Sequence, residues 1–379
     1  MKKKILFVFG TRPETIKLAS LIKKYKFHSE DYETFVLVTG QHKEMLYQAL
    51  DLFKIVPDRD LEIMSHNQSL SDLTIKIIQG VSNVIEEFHP NLLFVQGDTT
   101  STFASSLAAF YKKVPVAHVE AGLRTGNIYS PFPEEVNRRL TGITTTYHFP
   151  PTDKSAENLI KEGYEKKHIF ISGNTVIDSL LEISNELESP QAKEDYESLF
   201  TKKYNIKFND NIKTLLVTGH RRESFGEGFL SICNALKEIS ENKGVQIIYP
   251  VHLNPNVQDP VYSILGECKN IYLIEPQDYK PFVFLMKKSF LILTDSGGIQ
   301  EEAPSLGKPV ILMRENTERT EGIDSGSSLL VGVEKQNIIK NTIALLSDDT
   351  LYKQMSEVVN PYGKGNSCEI IFDVLKERI

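Results

Sequence analysis

The sequence predicts an α/β protein built as two Rossmann-like domains facing across a cleft. Three observations predict it: a length of 379 residues, apolar strand-like runs alternating with helical patterns, and a return of that rhythm after a charged interval. A chain this long exceeds one ordinary core and suits two domains of roughly 150–200 residues each. The first set of runs is ILFVFG (5–10), ETFVLVTG (33–40), NLLFVQGD (91–98), VPVAHVEAG (114–122) and HIFISGN (168–174). Short β-branched runs bounded by Gly, Asp and Asn read as strands. Between them, ETIKLASLIKKYK and SDLTIKIIQGVSNVIEEF carry the period of helices, so the pattern reads as βαβ units around a parallel sheet. The second set is KTLLVTGH (213–220), VQIIYPVH (245–252), NIYLIEP (270–276), FLILTDSGG (290–298) and PVILM (309–313). Residues 180–210 between the sets are charged and strand-poor. The expected boundary lies near Gly173, giving a first domain of residues 1–173 and a second of 174–360.

Composition narrows the function classes. The chain is 40% hydrophobic and 25% charged, with no tryptophan and no apolar run near the roughly 20 residues of a membrane helix. A cytoplasmic protein without a membrane partner is expected. The start, MKKKILFVFG, has basic residues before an apolar run, but that run soon reaches Gly10-Thr11-Arg12-Pro13-Glu14 and reads as a first core strand, not a signal peptide. A net charge of −7 argues against nucleic acid as a partner, which calls for a basic surface. Any phosphate is held locally. Cys233, Cys268 and Cys368 are odd in number and form no CxxC pair, so neither a disulfide framework nor a metal site is suggested.

In doubly wound folds, ligands sit at the carboxyl ends of the strands. Here those ends read G10-T-R-P-E, T39-G-Q-H, Q96-G-D-T-T, H118-V-E-A-G-L-R, T218-G-H-R-R-E, Y249-P-V-H and D295-S-G-G. One polar ending means little, since strand-to-helix turns use such residues anyway. Seven on one cleft read as a binding site.

FGTRPETIK (9–17) reads as a strand, a turn and a helix, with Thr11 as N-cap, Pro13 at the first helical position and Glu14 completing a capping box. Arg12 is then either a solvated arginine beside a cap or an anion contact at a positive helix end. The turn is not GxGxxG, and no such fingerprint follows a strand elsewhere, so a nicotinamide cofactor is disfavoured and none is expected. In LTDSGGIQEEAP, Ser296 and the amides of Gly297 and Gly298 suit a diphosphate, while a glutamate one turn on suits vicinal hydroxyls; a ribose diphosphate offers both. GHRRESFGEG (219–228) sets His220 beside two arginines at a strand end, as an anion contact or proton donor. His252 in YPVHLNPNV sits equally well in a rigid loop. QGDTTST, HVEAGLRTG and PFPEEVNRR bring Asp98, Glu120, Glu134 and Glu135 into one domain with Arg124, Arg138 and Arg139. Crowded carboxylates in unlike environments can split acid and base roles. A solvated salt-bridge cluster is the plain alternative.

Taken together, FGTRPE, TGQH, GDTTST, HVEAGLRT, PEEVNRR, SGNTVID, VTGHRRES, YPVHLNPNV and TDSGGIQEEAPSLGKPV resemble the non-hydrolysing bacterial UDP-N-acetylglucosamine 2-epimerases, in order along nearly the whole chain. The resemblance implies a GT-B, glycogen phosphorylase-like pair of domains, with a C-terminal helix (361–379) returning to the first domain. It implies interconversion of UDP-GlcNAc and UDP-ManNAc without a cofactor, in a homodimer, supplying ManNAc for cell-surface polysaccharide. Motif by motif, it puts Arg12 and Lys17 on nucleotide-sugar contacts and Asp98, Glu120 and Glu134 on active-site acids. His220 matches the histidine of GHRRES, Gln277 and Phe282 fall in the uracil stretch, and Ser296, Gly297, Gly298 and Glu302 fall on diphosphate and ribose contacts. Arg319 matches an arginine after the final strand, where TERTEGIDSG departs from the more usual TERPE. Gln41, His42 and Gln68 match a motif used for a second, regulatory UDP-GlcNAc.

The residues suit that chemistry on their own terms. The C2 hydrogen of GlcNAc is not next to a carbonyl, so either a neighbouring carbon is oxidised or the anomeric UDP leaves as C2 loses its proton, giving 2-acetamidoglucal. The second route needs a stabilised diphosphate and carboxylates on both faces of C2. Two rival enzymes share the pocket: a GT-B glycosyltransferase, which passes the sugar to an acceptor, and a hydrolysing epimerase, which releases free ManNAc. A UDP-sugar sensor would need no acids.

Overall fold

The computed structural model describes residues 2–40, 43–64, 68–209, 211–221 and 225–379. The chain divides into two compact units, one running to Ser179 and joined by Tyr362–Ile379, the other Leu180–Pro361. Each holds a six-stranded parallel sheet.

In the first unit the strands are β1 (Lys3–Phe9), β2 (Tyr32–Val38), β3 (Arg59–Asp60), β4 (Leu92–Gln96), β5 (Val116–Val119) and β6 (Tyr147–Phe149). Their order is β3-β2-β1-β4-β5-β6, the dinucleotide-fold order, whose direction reverses between β1 and β4. Both faces of the sheet are covered, which is why its strands read as continuous apolar runs and not as alternation. On one face, Leu6, Val8, Leu37, Leu93 and Val95 pack with Leu73, Ile77 and Val81 of helix Leu70–Phe88 and Ala104 and Ala108 of helix Thr100–Tyr111. On the other, Phe7 stacks on Phe94 with centroids 4.7 Å apart and meets the edge of Tyr25 at 5.8 Å.

The same Tyr25 touches Phe372 of the C-terminal helix Ser367–Lys376 at 5.1 Å, while Lys24 pairs with Glu369. The helix start is capped from elsewhere: Asp178 accepts the amides of Cys368 at 2.9 Å and Ser367 at 3.2 Å. Residues 174–179, beyond the expected boundary at Gly173, therefore lie with the first unit.

The second unit carries β7 (Lys213–Thr218), β8 (Val245–Pro250), β9 (Ile271–Ile274), β10 (Leu291–Thr294), β11 (Val310–Leu312) and β12 (Ser328–Leu330). Its order is β12-β11-β10-β7-β8-β9, so the reversal falls between β7 and β10. Its core gathers Leu215, Val217, Ile247, Leu291, Leu293 and Ile311 with Phe229, Ile232 and Leu236 of helix Glu227–Ser240.

One strand reading changes, and three short strands had no reading. HIFISGN is not a strand: only Ile169 bridges His148, and Phe170 and Ser172 donate to the carbonyls of His148 and Pro150 as an extended connection beside β6. β3, β6 and β12 are only two or three residues long and carry too short a pattern to read. Among the described residues, no helix is long and apolar enough to cross a membrane.

Removing a cap costs about 1–2 kcal/mol. Asp178→Ala should lower the free energy of unfolding by that amount, read as a lower urea midpoint with the slope of the transition unchanged.

Candidate active site

The strand ends beside each reversal carry most of the residues singled out above. In the first unit, the turn after β1 leads into helix Arg12–Phe27, and the turn after β4 into helix Thr100–Tyr111. Thr11 is the N-cap of the first helix but makes no side-chain cap bond, so the expected capping box does not form. Glu14 turns inward instead, 1% exposed, and accepts from the Gly10 amide at 3.0 Å and the hydroxyls of Thr99 at 2.8 Å and Thr102 at 3.1 Å. Burial pushes its carboxyl up, against the hydrogen bonds that pull it down.

Arg12 is half-buried at the helix start, and its side chain makes no hydrogen bond or ion pair among the described residues. Lys17, one turn on, is paired with Glu120. Asn174 donates to the same carboxylate oxygen at 2.7 Å. Glu120 sits at φ +65°, a left-handed conformation that a glutamate adopts only when its surroundings impose it.

Gly97, at φ +71°, makes the turn that presents Asp98; a Cβ there would lie 3.8 Å from Glu120 Oε1, so the Glu120 carboxylate faces the residue before Asp98. Arg138 grips Asp98 Oδ2 from Nε at 2.9 Å and Nη2 at 2.7 Å, and Asn137 donates to the Asp98 carbonyl at 2.9 Å. Both come from helix Glu134–Thr144, in which Glu134 precedes Arg138 by four residues and shares its face. The half-buried Glu134 side chain makes no hydrogen bond or ion pair among the described residues.

Two residues of the expected acid cluster serve the loop instead. Glu135 is fully buried under the amides of Thr125 at 3.0 Å and Gly126 at 3.3 Å. Burial alone would raise its carboxyl; the Thr125 amide and Arg138 outweigh that and hold it below the ordinary value. Arg124 forks onto Glu162 with two 2.8 Å bonds.

His118 lies under this turn, Nε2 at 2.7 Å from the Gly97 carbonyl. A carbonyl only accepts, so that nitrogen carries the proton. Burial holds the ring neutral, down to about 4, and the adjacent His148 down to about 3.

In the second unit, Asp295 follows β10, 1% exposed, and accepts the amides of His220 at 2.7 Å and Arg221 at 2.8 Å beyond β7. His220 Nδ1 lies 3.1 Å from Asp295 Oδ1, and its ring stacks on His252 at 5.7 Å. Burial works against the Asp295 charge, but His220 and the two amides hold its carboxyl below the usual range. Arg222 and Glu223 lie outside the described residues.

Ser296 stands at the N-cap position of the short helix Gly297–Glu302 without a side-chain cap bond, its amide turned onto the Thr294 hydroxyl at 2.9 Å. A Cβ at Gly297 would sit 2.5 Å from Nη1 of Arg319, so a side chain there would have to displace that guanidinium. Gly298 follows as the second residue of that helix. Arg319 pairs with Glu301 and Glu318, each at 2.5 Å. Burial opposes the charge of Glu318, yet Arg319, Arg314 and Arg221 hold it down to about 2. Glu302 accepts from the Tyr279 hydroxyl at 2.7 Å. Helix Tyr279–Lys288 also carries the half-buried Phe282, and Gln277 just before it donates to Tyr204 at 3.2 Å and the Glu275 carbonyl at 2.7 Å.

Gln41 and His42 lie outside the described residues. Gln68 precedes the Ser69 N-cap of helix Leu70–Phe88. Among the described residues, no group of three or more His, Cys, Asp or Glu could hold a metal ion.

The family profile described as UDP-N-acetylglucosamine 2-epimerase matches residues 26–376. The chain belongs to the UDP-N-acetylglucosamine 2-epimerase family. An epimerase of that name from Campylobacter jejuni is 54% identical over 99% of this chain and 98% of its own. One from Escherichia coli K12 is 52% identical over 98% of each. The crystal structure of UDP-GlcNAc 2-epimerase from Neisseria meningitidis bound to UDP-GlcNAc superposes with a TM-score of 0.92 at 47% identity, covering 99% of this chain and all of the other.

Sequence reading passed over Asp295, Asn174, Glu318 and Tyr279 as site residues. Asp295 carried a signal, an acid directly after an apolar run and before two glycines. Asn174 and Tyr279 act on partners distant in sequence, Glu120 and Glu302, whereas Glu318 pairs with Arg319 and Arg314 close by along the chain.

The two buried histidines predict how this epimerase responds to acid. Unfolded imidazoles take up protons near 6.5, whereas His118 and His148 refuse them until about 4 and about 3. Their contribution is complete above 6.5 and is lost as pH falls below it. Urea midpoints should drop steeply between pH 6.5 and 4, and less steeply in His148→Gln.

Proposed function

We propose that this chain is a non-hydrolysing UDP-N-acetylglucosamine 2-epimerase that interconverts UDP-GlcNAc and UDP-ManNAc. The observation that carries the reading is the grouping of Asp98, Glu120 and the Glu134 helix at the strand ends of the first unit, in a chain of this family. A sensor would need no such acids, and a nicotinamide enzyme would need a glycine fingerprint that is missing.

The reaction is an elimination followed by a re-addition. A carboxylate takes the C2 proton while the C1–O bond breaks, its electrons leaving with UDP, and C1=C2 forms as 2-acetamidoglucal. A second acid then protonates C2 from the opposite face, and UDP returns to C1. Asp98, Glu120 and Glu134 share these transfers. Lys17 pairs with Glu120 and Arg138 with Asp98, while the Glu134 side chain makes no ion pair among the described residues, so the acids stand in unlike surroundings. Expelling a diphosphate demands fixed positive charge and amides aimed at the developing anion. Arg12, His220, Ser296 and the amides of Gly297 and Gly298 supply them. Glu302 takes the ribose hydroxyls, Gln277 and Phe282 the uracil, and Arg319 braces the glycine turn.

The same reading carries over a cytoplasmic homodimer, a regulatory UDP-GlcNAc at Gln41, His42 and Gln68, and the supply of ManNAc for cell-surface polysaccharide.

Purified protein given UDP-GlcNAc in deuterated water should place deuterium at C2 of both sugars, seen by proton NMR. Absence of exchange in the intact enzyme would sink the reading, and free ManNAc would make it a hydrolase. Asp98→Asn, Glu120→Gln and Glu134→Gln should each slow exchange by about 10²–10⁴-fold. Gly297→Ala forces a methyl into the Arg319 guanidinium and should weaken UDP binding about tenfold by calorimetry.

A further inference from the structure

We propose that Glu14 is a positioning residue: its buried carboxylate locks the turn bearing Asp98 to the turn bearing Arg12, and so sets how that acid meets C2. The proposal rests on Asp98 acting as an acid of the epimerase.

The sheet does not hold these turns together. β1 and β4 pair only from Ile5–Leu92 to Phe7–Phe94, and the ladder stops before Gly10 on one strand and Asp98 on the other. Such parting is what opens a crevice at a reversal of strand order. Glu14 spans the gap. One oxygen takes the Gly10 amide, two residues before Arg12; the other takes the hydroxyl of Thr99, directly after Asp98, and that of Thr102.

Two simpler roles do not account for it. A helix cap would put the Thr11 hydroxyl on a backbone amide of the first turn, and no such cap bond forms. A structural ion pair would need a cation, and none pairs with Glu14 among the described residues. Every hydrogen-bond partner of this carboxylate among the described residues is a neutral donor from one of the two turns or the helix start behind it. Nor does Glu14 reach substrate, being 1% exposed.

Thr99 makes the arrangement specific. Its oxygen caps helix Thr100–Tyr111 by accepting the Thr102 amide at 3.1 Å, which leaves its proton for Glu14. The Thr102 hydroxyl is 2.6 Å from the Gln96 carbonyl and divides its proton between two acceptors. Thr99 is thus the stronger link, and a hydroxyl is required there while a methyl is not.

The test measures epimerase kinetics, and C2 deuterium exchange, in Glu14→Gln, Thr99→Val and Thr99→Ser beside the unaltered enzyme. Gln keeps the size of Glu14 but replaces one acceptor with a donor. Misplacing a reacting group by an ångström costs about 100-fold. Glu14→Gln and Thr99→Val should each lower kcat about 10- to 100-fold with KM nearly unchanged, and Thr99→Ser should restore it. The double variant Glu14→Gln, Thr99→Val should be no slower than the worse single, since both break one link. Equal kcat for Thr99→Val and Thr99→Ser, multiplied losses in the double variant, or losses in KM alone would overturn the proposal. Should Glu14→Gln fail to fold, the Thr99 pair decides by the same criteria. Missing exchange in the unaltered enzyme would refute the epimerase reading itself, whereas exchange there with unaffected variants refutes only the role of Glu14.

Discussion

A buried carboxylate stands at each reversal of strand order, where the parallel ladder ends and backbone amides have no strand to bond. Glu14 does this in the first unit and Asp295 in the second. A buried amide left unpaired costs about 1–3 kcal/mol, and a carboxylate accepting several such donors is itself rewarded for staying in place. The two turns beside each crevice are therefore held by side-chain chemistry, and the ladder only brings them near. The residues proposed for the reaction, Arg12 and Asp98 in one unit and His220 and Ser296 in the other, all sit within three residues of these anchors or of the amides and hydroxyls they hold.

The charges near them are arranged by the same logic. Opposite partners are assigned almost acid by acid: Lys17 to Glu120, Arg138 to Asp98 and Glu135, Arg124 to Glu162. Arg319, Arg314 and Arg221 share Glu318, with Arg319 also on Glu301, so this network largely neutralises itself. Among the described residues, Arg12 and Glu134 lie outside these pairings, which is the state expected of groups that meet a ligand and not a neighbour. Unlike surroundings for similar acids are what allow them unlike tasks.

Much of this was legible beforehand where the signal is local. The apolar runs located nine of the twelve described strands because burial on both sheet faces makes each a run, and their polar endings marked the turns that carry chemistry. Short strands such as Tyr147–Phe149 escaped because three residues hold no period, and HIFISGN misled because an extended connection beside a sheet buries the same residue types. Glu14 was misread for a related reason. A capping box and an inward clasp have the same sequence spelling, and which one forms depends on Thr99 and Thr102, more than eighty residues away. Arg124 looked like part of the acid cluster until Glu162 claimed it.

By itself, the sequence determined two parallel α/β sheets, the family, and which strand ends carry polar groups, because hydrophobic period and short motifs are properties of neighbours along the chain. Only the tertiary structure decided which carboxylates clasp a turn and which do not, and that His118 lies neutral beneath the Gly97 turn. Those outcomes depend on burial and on partners brought together from distant segments, and a hydrogen bond recognises distance in space, not separation in sequence.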